Sequence, residues 1–238
     1  MKAGTDLVET LLAAARPAPI ETHPFVVSLR EGALSPEAVR GYAIAIARIG
    51  GAFPYRIASV LAICDHPDIR RSLISNLLEE EGVTGYTPGE HVRVDPKRRH
   101  GEMGRKFARA AGATDAEVDA LSLRHARWFG EAIGRGDWLG AFAYFAIGQE
   151  ANVPSTFRLI LDPLMEHYGF SREDLEFLTE HFEADERHGL ESAHLIARVA
   201  ETSEARQRAL EGARRGGMAW WALHRTHTAV RLAMSDER

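Results

Sequence analysis

Residues 181–188 read HFEADERH, which places two histidines and one aspartate at helical spacing. Each residue of an α-helix advances about 100° around its axis, so His181, Asp185 and His188 fall within one narrow stripe. Leucines on either side of the stretch extend roughly the same face, which indicates that the stripe points inward. A buried carboxylate favours a nearby cation, and imidazole with carboxylate suits iron, manganese or zinc. The alternative is a satisfied core histidine and an aspartate paired with Arg187 or another base.

The rest of the chain has a helical pattern too. Apolar residues recur at intervals of three and four, and alternating runs typical of strands are almost absent. Ser35-Pro36-Glu37 and Ser171-Arg172-Glu173-Asp174 are typical helix starts. The pattern predicts an all-α protein with helices over 6–15, 36–63, 67–81, 98–111, 115–133, 137–165 (interrupted), 172–200 and 204–233. Because no Gly-rich or Pro-rich linker divides the chain, we expect a single domain over 1–238.

Composition excludes several classes of protein. The 238 residues carry a net charge of -5, which argues against nucleic acid or an anionic membrane as a partner. Cys64 is the only cysteine, so an internal disulfide and a cysteine-based zinc site are excluded. No uninterrupted apolar run approaches the roughly 20 residues of a membrane helix. The first residues lack the basic and apolar segments of a secretory signal, so we expect a cytoplasmic protein.

Two glutamates also lie on apolar stripes. Glu80 continues the apolar stripe of its predicted helix and points inward, whereas Glu79 and Glu81 fit a solvated helix end. Glu150 ends an almost wholly apolar segment, where an isolated carboxylate favours a cation. Pro154 cannot donate a hydrogen bond to the carbonyl of Glu150, so the helix should be interrupted there. A glutamate exposed by that kink is the alternative interpretation.

A third histidine, His100, shares a face with Met103 and Phe107, which favours an inward position. The alternative is a histidine that only begins the helix after the basic run over 97–99. The inward candidates are therefore Glu80, His100, Glu150, His181, Asp185 and His188. Three carboxylates and three imidazoles are typical of two divalent metal ions held inside a helical bundle. A ferritin-like site would need two Glu-x-x-His motifs, and the one present, Glu191 with His194, lies off the stripe of His181.

The order and spacing of these six residues resemble the haem-oxygenase-like di-iron oxidases. This family is related to the pyrroloquinoline quinone biosynthesis oxidase and to thiaminase-like proteins. Shorter segments that look like family features are His23-Pro24-Phe25, Asn76-Leu77-Leu78-Glu79-Glu80, His100-Gly101-Glu102-Met103 and His167-Tyr168-Gly169. The resemblance covers about residues 20–200. It implies a haem-oxygenase-like bundle of seven helices, to which the predicted helix over 204–233 adds an eighth.

The resemblance also implies a chemistry. The six residues would hold two Fe(II) ions, with Glu150 as a bridging ligand and O2 as co-substrate. The implied activity is that of a non-haem di-iron oxygenase or oxidase acting on a small amino acid, amine or fatty acid, by N-oxygenation, desaturation or carbon–carbon cleavage. Natural-product biosynthesis, an external reductant and a homodimer are further expectations. Because the stretch after Glu80 is long for the family, His91 is an alternative ligand, although the helix pattern favours His100.

Two other classes of function remain as alternatives. One is a metal-independent oxidase or small-molecule-binding protein on the same fold, in which the histidines and acids contact the substrate directly. The other is a helical scaffold in which Arg105 or Arg158 forms buried ion pairs with Glu80 or Glu150. For an enzyme, the candidate side chains to line a cavity are Tyr42, Phe53, Tyr144 and Arg158, but several helix rotations fit the sequence equally well.

Two activities of related proteins are not expected. Thiaminase-like hydrolysis uses a cysteine nucleophile, and Cys64 is not near Glu150 in the sequence. One branch of the oxidases makes an aminobenzoate from its own tyrosine. Tyr144 could face the pocket, but Phe25, Gln149 and Phe177 stand where that branch places tyrosines beside its ligands.

Overall fold

The computed structural model describes residues 2–87, 89, 91–119 and 127–235, and the side chains of 6–87, 89, 91–119, 127–182 and 188–224. It is 77% helical with almost no strands, which confirms the predicted all-α class. The helices within this part of the chain are α1 Lys2–Ala14, α2 Pro24–Arg30, α3 Pro36–Ile63, α4 Pro67–Glu80, α5 His100–Ala110, α6 Asp115–Asp119, α7 Arg127–Gly134, α8 Trp138–Ala146, α9 Val153–Tyr168, α10 Glu176–Val199 and α11 Ser203–Ser235.

Several helix boundaries follow from local chemistry. Helix α3 begins where predicted, and the Ser35 side chain accepts a hydrogen bond from the amide of Ala38. The predicted interruption near Glu150 is confirmed, because a 3-10 segment over Glu150–Asn152 separates α8 from α9. The predicted start at 172 is wrong. The Ser171 and Asp174 side chains bond each other's amides there, but the chain makes only a turn and α10 begins four residues later than predicted.

Other differences concern short elements. The sequence pattern does not predict helix α2. Its buried residues Phe25, Val26 and Leu29 pack it against the core. The helix predicted over 115–133 is described as α6 and α7, and the residues between them lie outside the described part. Two strands, β1 Val83–Gly85 and β2 Arg93–Val94, pair as an antiparallel hairpin between α4 and α5. The expectation of a single domain stays a prediction.

Helices α8 and α11 pack so closely that their glycines are required. A Cβ at Gly212 would overlap the carbonyl of Gly140, and one at Gly216 would overlap the carbonyl of Tyr144. Gly148, two residues before Glu150, also faces Gly216. Close backbone approach of this kind needs residues without a side chain. The contact therefore fixes the end of α8, and with it the segment that carries Glu150.

Helix α3 crosses the centre of the bundle. Tyr42, Ile46, Phe53 and Ile57 are buried along it. In the described part of the chain it is also the one helix long and apolar enough, by length and composition, to span a membrane. A core helix passes the same test, so this finding is weak evidence for a membrane segment.

Candidate metal centre

Three of the six predicted ligands meet at one point. One donor atom from each of Glu80, His100 and His181 lies within 4.8 Å of the other two. His100 Nδ1 is 3.0 Å from Glu80 Oε1, and both side chains are buried. The three residues come from the end of α4, the start of α5 and the interior of α10. The three side chains therefore point toward one another from the inward helical faces predicted for them.

The carboxylate of Glu80 fits a cation. It is only 5% exposed, and Oε2 has no hydrogen-bond partner among the described residues. A buried carboxylate oxygen without a donor is strongly disfavoured unless a cation or a proton compensates it. With two imidazoles beside it, the donor set suits iron, zinc or manganese better than calcium or magnesium. The residues present thus fit a transition metal.

His181 is held in the form that binds a metal. Its Nδ1 donates a hydrogen bond to the carbonyl of Phe177 at 2.8 Å, so Nε2 carries the lone pair. Metal-bound histidines commonly make such a bond through the nitrogen that does not bind the metal. Burial, and next the nearby His100, lower the pKa of His181 from 6.5 to about 4, although Glu80 opposes the shift. The imidazole is therefore neutral at neutral pH.

The hairpin between α4 and α5 explains how Glu80 and His100 meet across a long stretch of chain. Gly82 adopts a positive φ of 68°, and the amide of Asp95 donates to its carbonyl at 2.9 Å. This bond closes the base of the hairpin and brings the start of α5 beside the end of α4. His91 is exposed in the hairpin and is not one of the clustered donors. The geometry therefore favours His100 over His91.

Two of the other predicted ligands, Glu150 and His188, are not part of the cluster. Glu150 is buried and accepts a hydrogen bond from Asn76 Nδ2 at 3.0 Å. His188 Nε2 lies 3.4 Å from Glu79 Oε2. Asp185 lies on α10, but its side chain is outside the described part of the structure.

The pairing of Glu79 with His188 is absent from the sequence prediction. Glu79 is about half-exposed, as its place at a helix end suggests, yet it reaches the neighbouring helix α10. Its i, i+3 spacing from Asn76, which contacts Glu150, is the signal that could have indicated a role. Asn76, Glu79 and His188 also line an open groove between α4 and α10.

A small cavity joins the cluster to Glu150. Its volume is about 30 Å³, and its polar lining includes Glu80, Glu150 and His181. Apolar side chains of α3, α9 and α10 form most of the remaining wall, including Phe53 and Phe177. A space of this size holds one or two water-sized molecules. The donors therefore face a small space whose wall is mostly apolar.

The structure separates the candidate lining residues and does not show the ion pairs of the scaffold alternative. Of the four candidates, Phe53 lines this cavity, whereas Tyr42, Tyr144 and Arg158 do not. Arg158 instead lies over the ring of Phe182, in a separate surface groove. Arg105 pairs with Asp119 on α6 and not with either buried glutamate.

Three positions bear on whether the chain could supply its own tyrosine for an aminobenzoate, and they are occupied by Phe25, Gln149 and Phe177. The Phe177 ring lies 4.0 Å from the ring of His181, measured between centroids, and Gln149 lines the cavity. Phe25 packs against Tyr42 at 4.7 Å between centroids. Apolar rings and an amide therefore occupy the three positions.

Comparisons with known proteins agree with this architecture. A family described as iron-containing redox enzymes matches residues 40–221. A 4-aminobenzoate synthase of Chlamydia trachomatis is 30% identical over 184 residues, covering 73% of this chain and 72% of that protein. A 4-aminobenzoate synthase of Nitrosomonas europaea is 28% identical and covers 84% of this chain and 81% of that protein.

A solved structure supports the fold. A TenA homologue from Pseudomonas syringae pv. tomato superposes with a TM-score of 0.72 at 15% identity, over 94% of this chain and 92% of that one. At this identity the likeness concerns the fold alone. The family match covers most of the chain and agrees with its buried Glu–His–His cluster. The chain therefore belongs to the haem-oxygenase-like family of iron-containing redox enzymes, and it is an oxidoreductase.

Proposed function

We propose that this oxidoreductase is a non-haem di-iron oxygenase that uses O2 to oxidise a small amino acid, amine or fatty acid. The observation that carries the proposal is the buried cluster of Glu80, His100 and His181, in which a carboxylate oxygen has no donor among the described residues. Such a cluster suits a metal ion, because an ion pair between Glu80 and His100 would still leave Glu80 Oε2 without a partner among the described residues.

We propose two sets of ligands for the two ions. Glu80, His100 and His181 would hold one ion, and Asp185 and His188 would contribute to the second, with Glu150 between them. The chemistry that iron supplies when bound is the transfer of electrons to O2. Because Glu150 and Glu80 line one cavity, a carboxylate is available to both ions.

The chain itself holds the donors and keeps water away. The carbonyl of Phe177 fixes the tautomer of His181, and the Phe177 ring covers that imidazole. Asn76 orients the carboxylate of Glu150 from α4. The small, mostly apolar cavity leaves little room for water beside the donors, which favours oxidation of a bound substrate over side reactions with water.

Iron content measured in matched variants tests the proposal. The protein would be reconstituted anaerobically with ferrous iron, desalted and analysed for metal, and its visible spectrum followed after mixing with O2. We expect about two irons per chain in the wild type and a clear loss in Glu80→Gln. Glu81→Gln, which removes a neighbouring half-exposed carboxylate, is the control and should load like the wild type.

The outcome also decides between the alternatives. If folded wild-type protein binds no iron above background, the di-iron proposal fails and a metal-independent oxidase on this fold becomes the better hypothesis. If Glu80→Gln loads fully, the cluster is not the iron site. Circular dichroism of each variant separates loss of metal from loss of fold.

The relatives favour a second candidate, 4-aminobenzoate synthesis. Three of them carry this name and share 28% to 30% identity with the chain. Against it stand Phe25, Gln149 and Phe177 at the positions considered for tyrosines. Mass spectrometry of the iron-loaded protein after one turnover with O2 and a reductant distinguishes the candidates. Released 4-aminobenzoate with a matching loss of protein mass would support synthesis, and an unchanged protein would support an external substrate.

Three further expectations are part of the proposal. We propose that the protein acts in the cytoplasm, forms a homodimer, and has a small molecule and an external reductant as partners, with no nucleic acid or membrane. Light scattering of the purified protein tests the dimer.

A further inference from the structure

Arg56 is a buried cation that has no anionic partner among the described residues. It lies in the interior of α3 and is only 4% exposed. Within the described residues its guanidinium makes one hydrogen bond, from Nη1 to Gln149 Oε1 at 2.7 Å. Its Nε is buried and has no hydrogen-bond partner among the described residues. No carboxylate of a described residue forms a salt bridge with Arg56. A guanidinium carries five N–H donors, so most of its hydrogen-bonding capacity is unused.

A second unsatisfied group lies close by. The hydroxyl of Tyr144 is buried and has no hydrogen-bond partner among the described residues, and it interacts electrostatically with Arg56. Burial lowers the pKa of Arg56, yet guanidinium remains protonated in proteins. The Phe53 ring, 5.9 Å from Cζ, gives only a weak cation–π contact. Unsatisfied polar groups in a protein core are disfavoured, and they concentrate at functional sites.

Arg56 adjoins the cavity of the candidate metal centre. Ile49 and Phe53 line that cavity from α3, and Arg56 continues their face at spacings of seven and three residues. Gln149, which accepts its hydrogen bond, also lines the cavity and directly precedes Glu150. One neutral amide therefore links the unpaired cation to the cavity wall.

We propose that Arg56 binds the carboxylate of the substrate, and that Gln149 Oε1 occupies the acceptor position when no substrate is bound. The planar guanidinium fork matches a carboxylate, and a charged acceptor is stronger than an amide oxygen. Rotation of the Gln149 side chain would expose the fork and enlarge the cavity, whose volume of about 30 Å³ otherwise holds only one or two water-sized molecules. This inference rests on the proposed function, because it takes the cavity as the reaction site. It narrows the substrate to amino acids and fatty acids with a free carboxylate and excludes simple amines.

Arg158, the arginine considered from the sequence, is a poor alternative. It is exposed, lies over Phe182 and lines a groove on the other side of α9. Its charge is solvated, so it has no electrostatic need for a ligand. Arg56 differs because solvent does not compensate its charge.

The first test is the thermal stability of the protein without ligand. Arg56→Met removes the uncompensated charge, and Gln149→Glu supplies an internal carboxylate at the same position. Both should raise the melting temperature by about 2–4 °C. Arg70→Met is the matched control, because Arg70 bonds the carbonyls of Leu61 and Cys64, and its loss should lower the melting temperature. A lower melting temperature for Arg56→Met would mean a structural role and overturn the inference.

The second test is binding to the wild-type chain. The probes are acetate, hexanoate and phenylalanine, each compared with its amide by thermal shift at one concentration. At least one carboxylate should raise the melting temperature more than its amide, and the difference should vanish in Arg56→Met and Gln149→Glu. No difference with any pair in the wild type, or a difference that persists in both variants, would overturn the inference.

Iron content separates this inference from the proposed function. Carboxylate binding in a protein that loads no iron would support the Arg56 site and contradict the di-iron proposal. Iron loading without a preference for carboxylates would support the di-iron proposal and contradict the Arg56 site.

Discussion

The metal-free protein should lose stability in mild acid because His181 resists protonation. Burial and the neighbouring His100 lower its pKa from 6.5 to about 4. The unfolded chain therefore takes up a proton near pH 6.5, whereas the folded chain takes it up only near pH 4. Between these values the unfolded state binds more protons, so stability falls as the pH falls.

The size of the effect follows from the two pKa values. A group with pKa 6.5 unfolded and about 4 folded loses roughly 2 kcal/mol of stabilisation between pH 7 and pH 5, and roughly 3 kcal/mol by pH 4. Total stabilities of domains are about 5–15 kcal/mol, so the change is large enough to measure.

Urea unfolding of metal-free protein at pH 7, 6 and 5, followed by circular dichroism, measures this contribution. His181→Gln removes the titrating group, so the stability difference between wild type and variant should change by about 2 kcal/mol between pH 7 and pH 5. His91→Gln, at an exposed position of the hairpin, is the control and should keep the pH dependence of the wild type. If wild type and His181→Gln lose stability in parallel, the described environment of His181 is wrong.

Three further predictions concern metal binding and packing. Ferrous or zinc ions should raise the melting temperature of metal-free protein in a concentration-dependent manner, and a chelator should reverse the rise in thermal-shift assays. Gly216→Ala should destabilise the fold by about 3 kcal/mol in urea unfolding, because the added methyl group meets the carbonyl of Tyr144. The control Gly130→Ala, in open space on α7, should stabilise the fold by about 0.5–1 kcal/mol, and equal effects of the two substitutions would contradict the packing. Thr156→Val should reduce the unfolding free energy by about 1–3 kcal/mol, because the buried indole N–H of Trp220 loses its acceptor, and an unchanged value would argue against that bond.

Helical periodicity was informative wherever a helix is long and has one buried face. It predicts α3 with its observed bounds, and it places Glu80 and His100 inward because apolar neighbours define the face. It also predicts the break before α9 from Pro154, which interrupts hydrogen bonding at a known position. These features depend on local spacing, which the sequence carries directly.

Features that depend on contacts between distant segments were not predictable. Helix α2 is too short for a periodic signal, and the pairing of Glu79 with His188 joins two helices. Arg56 lies on an apolar stripe, but an arginine on a helix commonly extends its charge to solvent, so its burial is not apparent from spacing. The tertiary environment decides each case.

Because the hairpin between α4 and α5 is closed at its base, Glu80 and His100 lie close together in space although they are far apart in the sequence. The hydrogen bond between Gly82 and Asp95 fixes where α5 starts. The number of residues in the hairpin between them therefore does not affect how Glu80 meets His100. Natural relatives can therefore differ in loop length while keeping the same donor geometry, and a search pattern with a fixed Glu-to-His interval would overlook them. Gly89, exposed in a turn with open space around it, is accordingly a suitable insertion point for a fluorescent reporter near the centre.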